Sequence, residues 1–415
     1  MEFSEVFKHT FSLFSPDGTL LVSCMQHRLI LRDTNTLSVN QIYTLPDVIV
    51  EILWNPNSTI FACINQSKSC IYLISIEKDT LLGKIDLGTV LKIEKYLWSP
   101  TGAYLVIFLE HQLKILIFDL NKGQIVKQIP NPKFSDRGFQ FRLDGEYFMF
   151  IQRIQAKDFV SIHSCEGNWN CVRRFEIDSI DADGLAWSPD NRTIAIYETF
   201  FEYKIMFYSP DGRMLRKEHR PTNETMCMGI QTLKWSPSSQ LLAVGSYDHK
   251  IAFYNCYTFK NSLEFELSPI QRPEDGIIVE AVMDEVNIPT LKLEDKNALK
   301  YGVGHISFNK EGTFVAARDS SMPNALWIIY LPAAKIYSLV LFRSPIKTFE
   351  WSSSKDKLSV CTNGPYIFHW TVNSCHGIEI PMPEFSVKDI EWNHRDRCVL
   401  LKDKLVYCLG YPVED

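Results

Sequence analysis

Ser246, Asp248 and His249 are the three side-chain types that make a nucleophile, an orienting carboxylate and a general base. They crowd into one short stretch, and neighbours in a single tight turn seldom reach triad geometry. The better reading is a hairpin lock, in which the turn Asp and the preceding Ser fix the turn by hydrogen bonds. Cys165 and Cys171 flank Trp169 and could in principle hold a metal, but two thiols at this spacing more often simply pack. The ten histidines form no His-Glu-x-x-His pattern, and no Cys-x-x-Cys occurs. Neither a Gly-x-Ser-x-Gly elbow nor a phosphate loop is present. Gly302-Val303-Gly304 falls inside an expected strand, where glycine marks a bulge or close packing. The expectation is therefore no catalytic residue, no cofactor and no metal: a protein that is not an enzyme.

The hairpin lock belongs to a repeated unit. Residues 230–255 read as three short alternating strands separated by Ser-Pro-Ser-Ser and Tyr-Asp-His turns. An aromatic followed by a turn recurs at Phe14, Trp54, Trp98, Phe141, Trp187, Trp235, Phe308, Trp351 and Trp392. The successive spacings are 40, 44, 43, 46, 48, 73, 43 and 41 residues. Four-stranded propeller blades repeat at about 40–45 residues, so the 73-residue gap is one blade plus an insert of roughly 30. The turn that follows (Ser-Pro-Asp-Gly at 15–18) presets the backbone and drives the aromatic between neighbouring sheets. Burying about 150–250 Å² of ring contributes at most roughly 4–6 kcal/mol per blade. One blade cannot bury both faces alone, so blades must stack. The expected fold is all-β: a WD-repeat β-propeller, a single closed ring over residues 1–415. Nine blades follow if every anchor is a blade; eight plus an irregular unit would look similar. The last unit lacks a fourth strand, and the alternating residues 3–7 are expected to supply it. Ser209–Gly212, a second Ser-Pro-Asp-Gly, is read as a turn into a fourth strand.

The insert, 266–300, carries eight acidic and four basic residues, most of the chain's formal net charge of −6. Residues 277–282 and 286–293 within it could be extended. It is as readily a solvated loop as a partner-binding arm. The acidic balance argues against nucleic acid, which calls for a basic face. Eleven cysteines without paired spacing point to a reducing compartment. The sequence opens with neither a basic head nor an apolar run, so no signal peptide is expected, and no apolar run approaches membrane-spanning length.

Function is then expected on loops. Thr199-Phe200-Phe201-Glu202-Tyr203 places three aromatics near a loop tip. Either they form an interface, or Phe201 and Tyr203 belong to the third strand and pack inward. His27, Arg28, His111, Arg153, Tyr247, His249 and Asn324 are further candidates for partner binding on the same rim.

Six segments carry a resemblance: FSEVFK (Phe3 to Lys8), FSPDG (Phe14 to Gly18), LRDTNTL (Leu31 to Leu37), EYKIMFYSPDGRML (Glu202 to Leu215), WSPSSQLLAVGSYD (Trp235 to Asp248) and MPNALW (Met322 to Trp327). Together they resemble the WD-repeat protein eight family, the centrosomal and spindle-pole WD-repeat proteins encoded antisense to a p53-family gene. The resemblance implies a non-enzymatic scaffold in the cytoplasm, on the cytoskeleton at the centrosome or spindle pole. It implies a coiled-coil anchoring partner of the synovial-sarcoma-X-breakpoint-interacting type. Through that partner it implies microtubule minus-end anchoring, spindle organisation and cilium assembly, and indirect association with microtubules and a minus-end kinesin. The propeller would be a monomer within a hetero-complex. The rival expectation is an RNA- or ribosome-associated propeller like those of translation initiation factors.

Overall fold

A computed structural model describes the chain except residues 66–67, 89–90, 111–113, 221–227, 268–276, 282–300 and 413–415. Of residues 277–281 it describes the backbone alone. The fold is a nine-bladed β-propeller, and no helix occurs among the described residues. The blades occupy residues 11–44, 51–86, 93–130, 139–176, 182–220, 230–266, 303–342, 348–379 and 389–411. Each is an antiparallel meander, so the turns between second and third strands emerge at the same end of a sheet as the links between blades. We call this the linker end. The nine-blade count thus holds, and the eight-blade alternative falls.

All nine anchors close the first strand of their blades, as in Glu51–Trp54, Ile93–Trp98 and Ala182–Trp187. Trp54, Trp98, Trp187, Trp235, Trp351 and Trp392 are all buried. The turns beyond them are tied blade to blade. Asp17 N donates to Ser58 Oγ at 3.0 Å, Asn55 Nδ2 to the Gly102 carbonyl at 2.8 Å, and Asp190 N to Ser239 Oγ at 2.9 Å. The motif therefore does two jobs: its ring fills the space between sheets, and its polar turn staples adjacent sheets together.

The chain divides into two compact units. The first holds residues 8–187 with 210–212. Its core is a series of slabs between sheets, such as the one joining Val22, Leu29 and Leu31 to Trp54, Phe61 and Tyr72. The second holds residues 1–7, 188–209 and 213–415. In it, Phe253 and Ile251 pack against Val303, Val315 and Trp327. Strand Glu2–Phe3 pairs antiparallel with Val406–Tyr411 and supplies the missing fourth strand of the last blade. The expected strand over 3–7 is thus interrupted: residues 4–6 lie outside strands, and Phe7–Lys8 forms a second short strand that also pairs with Val406–Tyr411. Ser209–Gly212 is a turn between Tyr203–Tyr208 and Met214–Arg220, as its position predicted.

The insert contributes strand Ile277–Ala281, which lies parallel to Lys335–Phe342 and gives the seventh blade a fifth strand. The expected extended stretch at 286–293 lies outside the described residues.

Candidate protein-interaction surface

The hairpin lock is built as its residues suggest. Ser246 Oγ donates to the Asp248 carboxylate and also lies 2.9 Å from the Lys250 carbonyl. His249 turns away from Ser246, and its Nδ1 is 2.7 Å from Asp319 Oδ2 on the next blade. Ser321 Oγ holds the other oxygen of that buried carboxylate at 2.6 Å. The hydrogen bond with Asp319 keeps the His249 imidazole above its ordinary value, against the downward pull of partial burial. The group thus bridges the sixth and seventh blades and has no triad geometry.

Around this bridge the second unit assembles an aromatic surface. Phe200 and Phe201 pack with their rings tilted at 33° and centroids 3.8 Å apart, and remain 45% and 73% exposed. Tyr247 meets Phe200 edge-on at 6.2 Å. Glycine makes this close approach possible. The Gly229 N–H donates to the Phe200 carbonyl at 2.7 Å, and a Cβ on Gly229 would sit 2.6 Å from the Phe200 Cα. Gly302 lies as tightly beneath Tyr247, where an added Cβ would come within 2.4 Å of the Tyr247 Cα. Gly302 lies just before strand Val303–Phe308 rather than inside it, at φ 85°, and makes the close packing that Gly302-Val303-Gly304 signalled. Met228, next to Gly229, is exposed and extends the patch.

The other candidates fall in different places. Tyr203 leaves the surface: it is 1% exposed in strand Tyr203–Tyr208, with its hydroxyl 3.0 Å from that of Tyr254. The loop's inward reading is therefore right for Tyr203, whereas Phe201 points outward. Asn324 is also buried, and its Nδ2 donates to the carbonyls of Phe342 and Arg343, each at 3.1 Å. It fixes the end of a strand and offers nothing to a partner. His27 is half-buried and Arg28 exposed at the first blade's hairpin. His111 lies outside the described residues.

Arg153, in the first unit, is bound into an ion network. It grips Asp158 through Nε at 2.7 Å and Nη2 at 3.0 Å, and reaches Asp181 at 2.8 Å. Lys133, almost fully buried, joins the same two carboxylates at 2.8 and 2.7 Å. Burial pushes the Asp181 carboxyl up, but its bonds to Lys133 and Arg153 outweigh that and hold it below the usual range. With two cations against two anions the group is balanced. It lines a cleft of about 420 Å³ beside Phe134 and secures the link into the fifth blade.

Some exposed residues were missed by sequence reasoning. In the first unit Met25, Val48, Val50 and Ile180 are exposed at the linker end; in the second, Leu405 joins Phe200, Phe201 and Met228 there. At the opposite ends of the sheets Leu143 and Tyr257 stand exposed in turns, and Val39 and Met214 at the starts of fourth strands. An apolar residue on a link between strands was the available signal. No group of three metal-binding side chains occurs among the described residues, and Cys165 and Cys171 are free thiols. Burial pushes the Cys165 thiol up to about 12, so it behaves as an apolar filler.

Residues 222–255 match the family model of the WD domain, G-beta repeat. Fold and repeat together define the class as a WD-repeat propeller. The chain is 31% identical to the mouse WD repeat-containing protein WRAP73, over 99% of this chain and 96% of that protein. It is 22% identical to an uncharacterized WD repeat-containing protein, C32H8.09, of Schizosaccharomyces pombe strain 972, over 100% and 93% of the two chains. The chain belongs to the WRAP73 family of WD-repeat proteins, the family its six segments resemble. Among solved structures it is similar to a eukaryotic initiation factor, with TM-score 0.62, 10% identity and 91% of each chain covered. The C-terminal WD40 domain of Sif2 gives TM-score 0.54, 10% identity and 99% of each chain covered. At such identities these likenesses speak for the fold alone.

Proposed function

We propose that this chain is a non-enzymatic scaffold of the centrosome or spindle pole. Its linker-end surface, centred on Phe200 and Phe201, holds a coiled-coil anchoring partner of the synovial-sarcoma-X-breakpoint-interacting type. In that role it supports microtubule minus-end anchoring, spindle organisation and cilium assembly, and it meets microtubules and a minus-end kinesin through the partner. Family membership supports the setting. One observation carries the surface: two phenylalanine rings in mutual contact stand exposed to water on one turn. Leaving such rings solvated is costly, and a partner helix would recover that cost.

The test is co-purification of the coiled-coil partner with wild-type chain and with Phe200→Ser/Phe201→Ser. The double variant is expected to lose about 2 kcal/mol of binding or more, roughly thirtyfold, as befits a paired aromatic hot spot. Its melting temperature should stay unchanged, because both rings are outside the core. Unchanged capture would remove this surface; no capture by the wild type would remove the partner. A fluorescent fusion absent from spindle poles in dividing cells would remove the setting.

A further inference from the structure

Fourth strands end most of the sheets, and their sequences differ in one respect. Met214–Arg220 is Met-Leu-Arg-Lys-Glu-His-Arg, Cys171–Glu176 carries Arg173, Arg174 and Glu176, and Lys260–Glu266 carries two glutamates. Charges of this kind keep an open strand edge from pairing with another chain. Lys335–Phe342 has no such protection. After Lys335 it is uncharged, and it ends Leu339-Val340-Leu341-Phe342, four consecutive apolar residues found in no other fourth strand described.

The apolar run serves the core. Leu339 and Leu341 pack into the slab around Phe253 and Trp327, while Val340 and Phe342 pack into the slab around Phe349, Trp351 and Phe368. Charge cannot be placed on these side chains without losing both slabs. The backbone edge is a separate matter: a flat, uncharged, strongly β-forming strand is a template for any extended segment. In this chain the edge is taken. Ile277–Ala281 runs parallel beside it in continuous register, from Ile277 opposite Ser338 to Ala281 opposite Phe342.

We propose that strand Ile277–Ala281 is an intramolecular edge guard: it fills the strand-acceptor edge of the seventh blade and keeps a second copy of this chain from pairing there. The insert thereby does by occupancy what charged residues do on most other blades; Val39–Thr44 of the first blade is also uncharged but carries the polar Asn40 and Gln41. It also explains why the extra strand appears on this blade, whose fourth strand ends in an uncharged, wholly apolar run.

The full chain is compared with a variant carrying Val279→Pro and Glu280→Pro. Adjacent prolines remove an amide donor from each side of the strand. Hydrogen exchange of the 338–342 amides is read at low protein concentration, and molar mass by light scattering across a hundredfold concentration range. In the variant, exchange at 338–342 is expected to rise at least tenfold, with self-association growing with concentration. A peptide spanning residues 274–284 should restore the monomer. A Gly-Ser replacement of 286–293, outside the paired register, should leave both readouts at wild-type values and controls for general damage to the insert. Unchanged exchange at 338–342 would overturn the pairing. Raised exchange with a monomer at every concentration would overturn the guard.

Discussion

Glu350 shows how a propeller holds a carboxyl between blades. Its Oε2 accepts the Trp392 backbone N–H at 2.9 Å, from one blade to the next. Burial pushes its carboxyl up to about 7; the Trp392 bond draws it back, while Glu391 and Asp389 add repulsion. A carboxyl raised in this way binds its proton more tightly folded than unfolded. It therefore costs stability progressively as pH rises from about 4.3 to about 7, and the full cost is present above that. Glu350→Gln keeps an acceptor and stays neutral. It is expected to stabilise the chain by about 1–3 kcal/mol at pH 8 and to give almost no gain near pH 4.5, read by urea unfolding at both pH values. At this scale the sequence was legible where partners are neighbours. Ser246 and Asp248 form the lock that their spacing suggests. The Glu350–Trp392 bond was hidden because its partners lie 42 residues apart and meet only through stacking of blades.

Elements follow the anchors closely. Each aromatic-turn motif ends a first strand because ring burial and turn geometry are both local to it. Strand Glu2–Phe3 was legible as well, from a last blade one strand short. Phe3 and Met1 pack on the slab around Trp392 and Cys408, and Phe7 stacks on Tyr407 at 5.4 Å. Deleting residues 2–7 is expected to cost about 2–4 kcal/mol from this apolar contact and the lost ladder. Exchange at amides 406–411 should rise with it, as hydrogen-exchange mass spectrometry would register. The insert was half legible. Its β-forming residues at 277–282 suggested an extended stretch, but the acceptor strand lies more than fifty positions further on, and its need for cover appears only beside the other edges.

Across the whole molecule, charge and composition speak to partners more than to fold. The formal net charge is −6, and the clustered Lys133 and Arg153 are bound to Asp158 and Asp181. RNA binding needs uncommitted cations along a face. We therefore expect no salt-sensitive shift of single-stranded or duplex RNA at about 150 mM salt; a shift weakening steeply with added salt would revive the translational reading.

Ser4 Oγ accepts the amide proton of Leu409, a contact spanning 405 positions. Ser4 leaves the ribosome about four hundred residues before Leu409, so this sheet cannot close until Val406–Tyr411 has emerged. Until then the strand Glu2–Phe3 waits without its mate, with a raw border. A nascent chain stalled just short of Val406 should accordingly hold chaperones longer than one stalled beyond Tyr411.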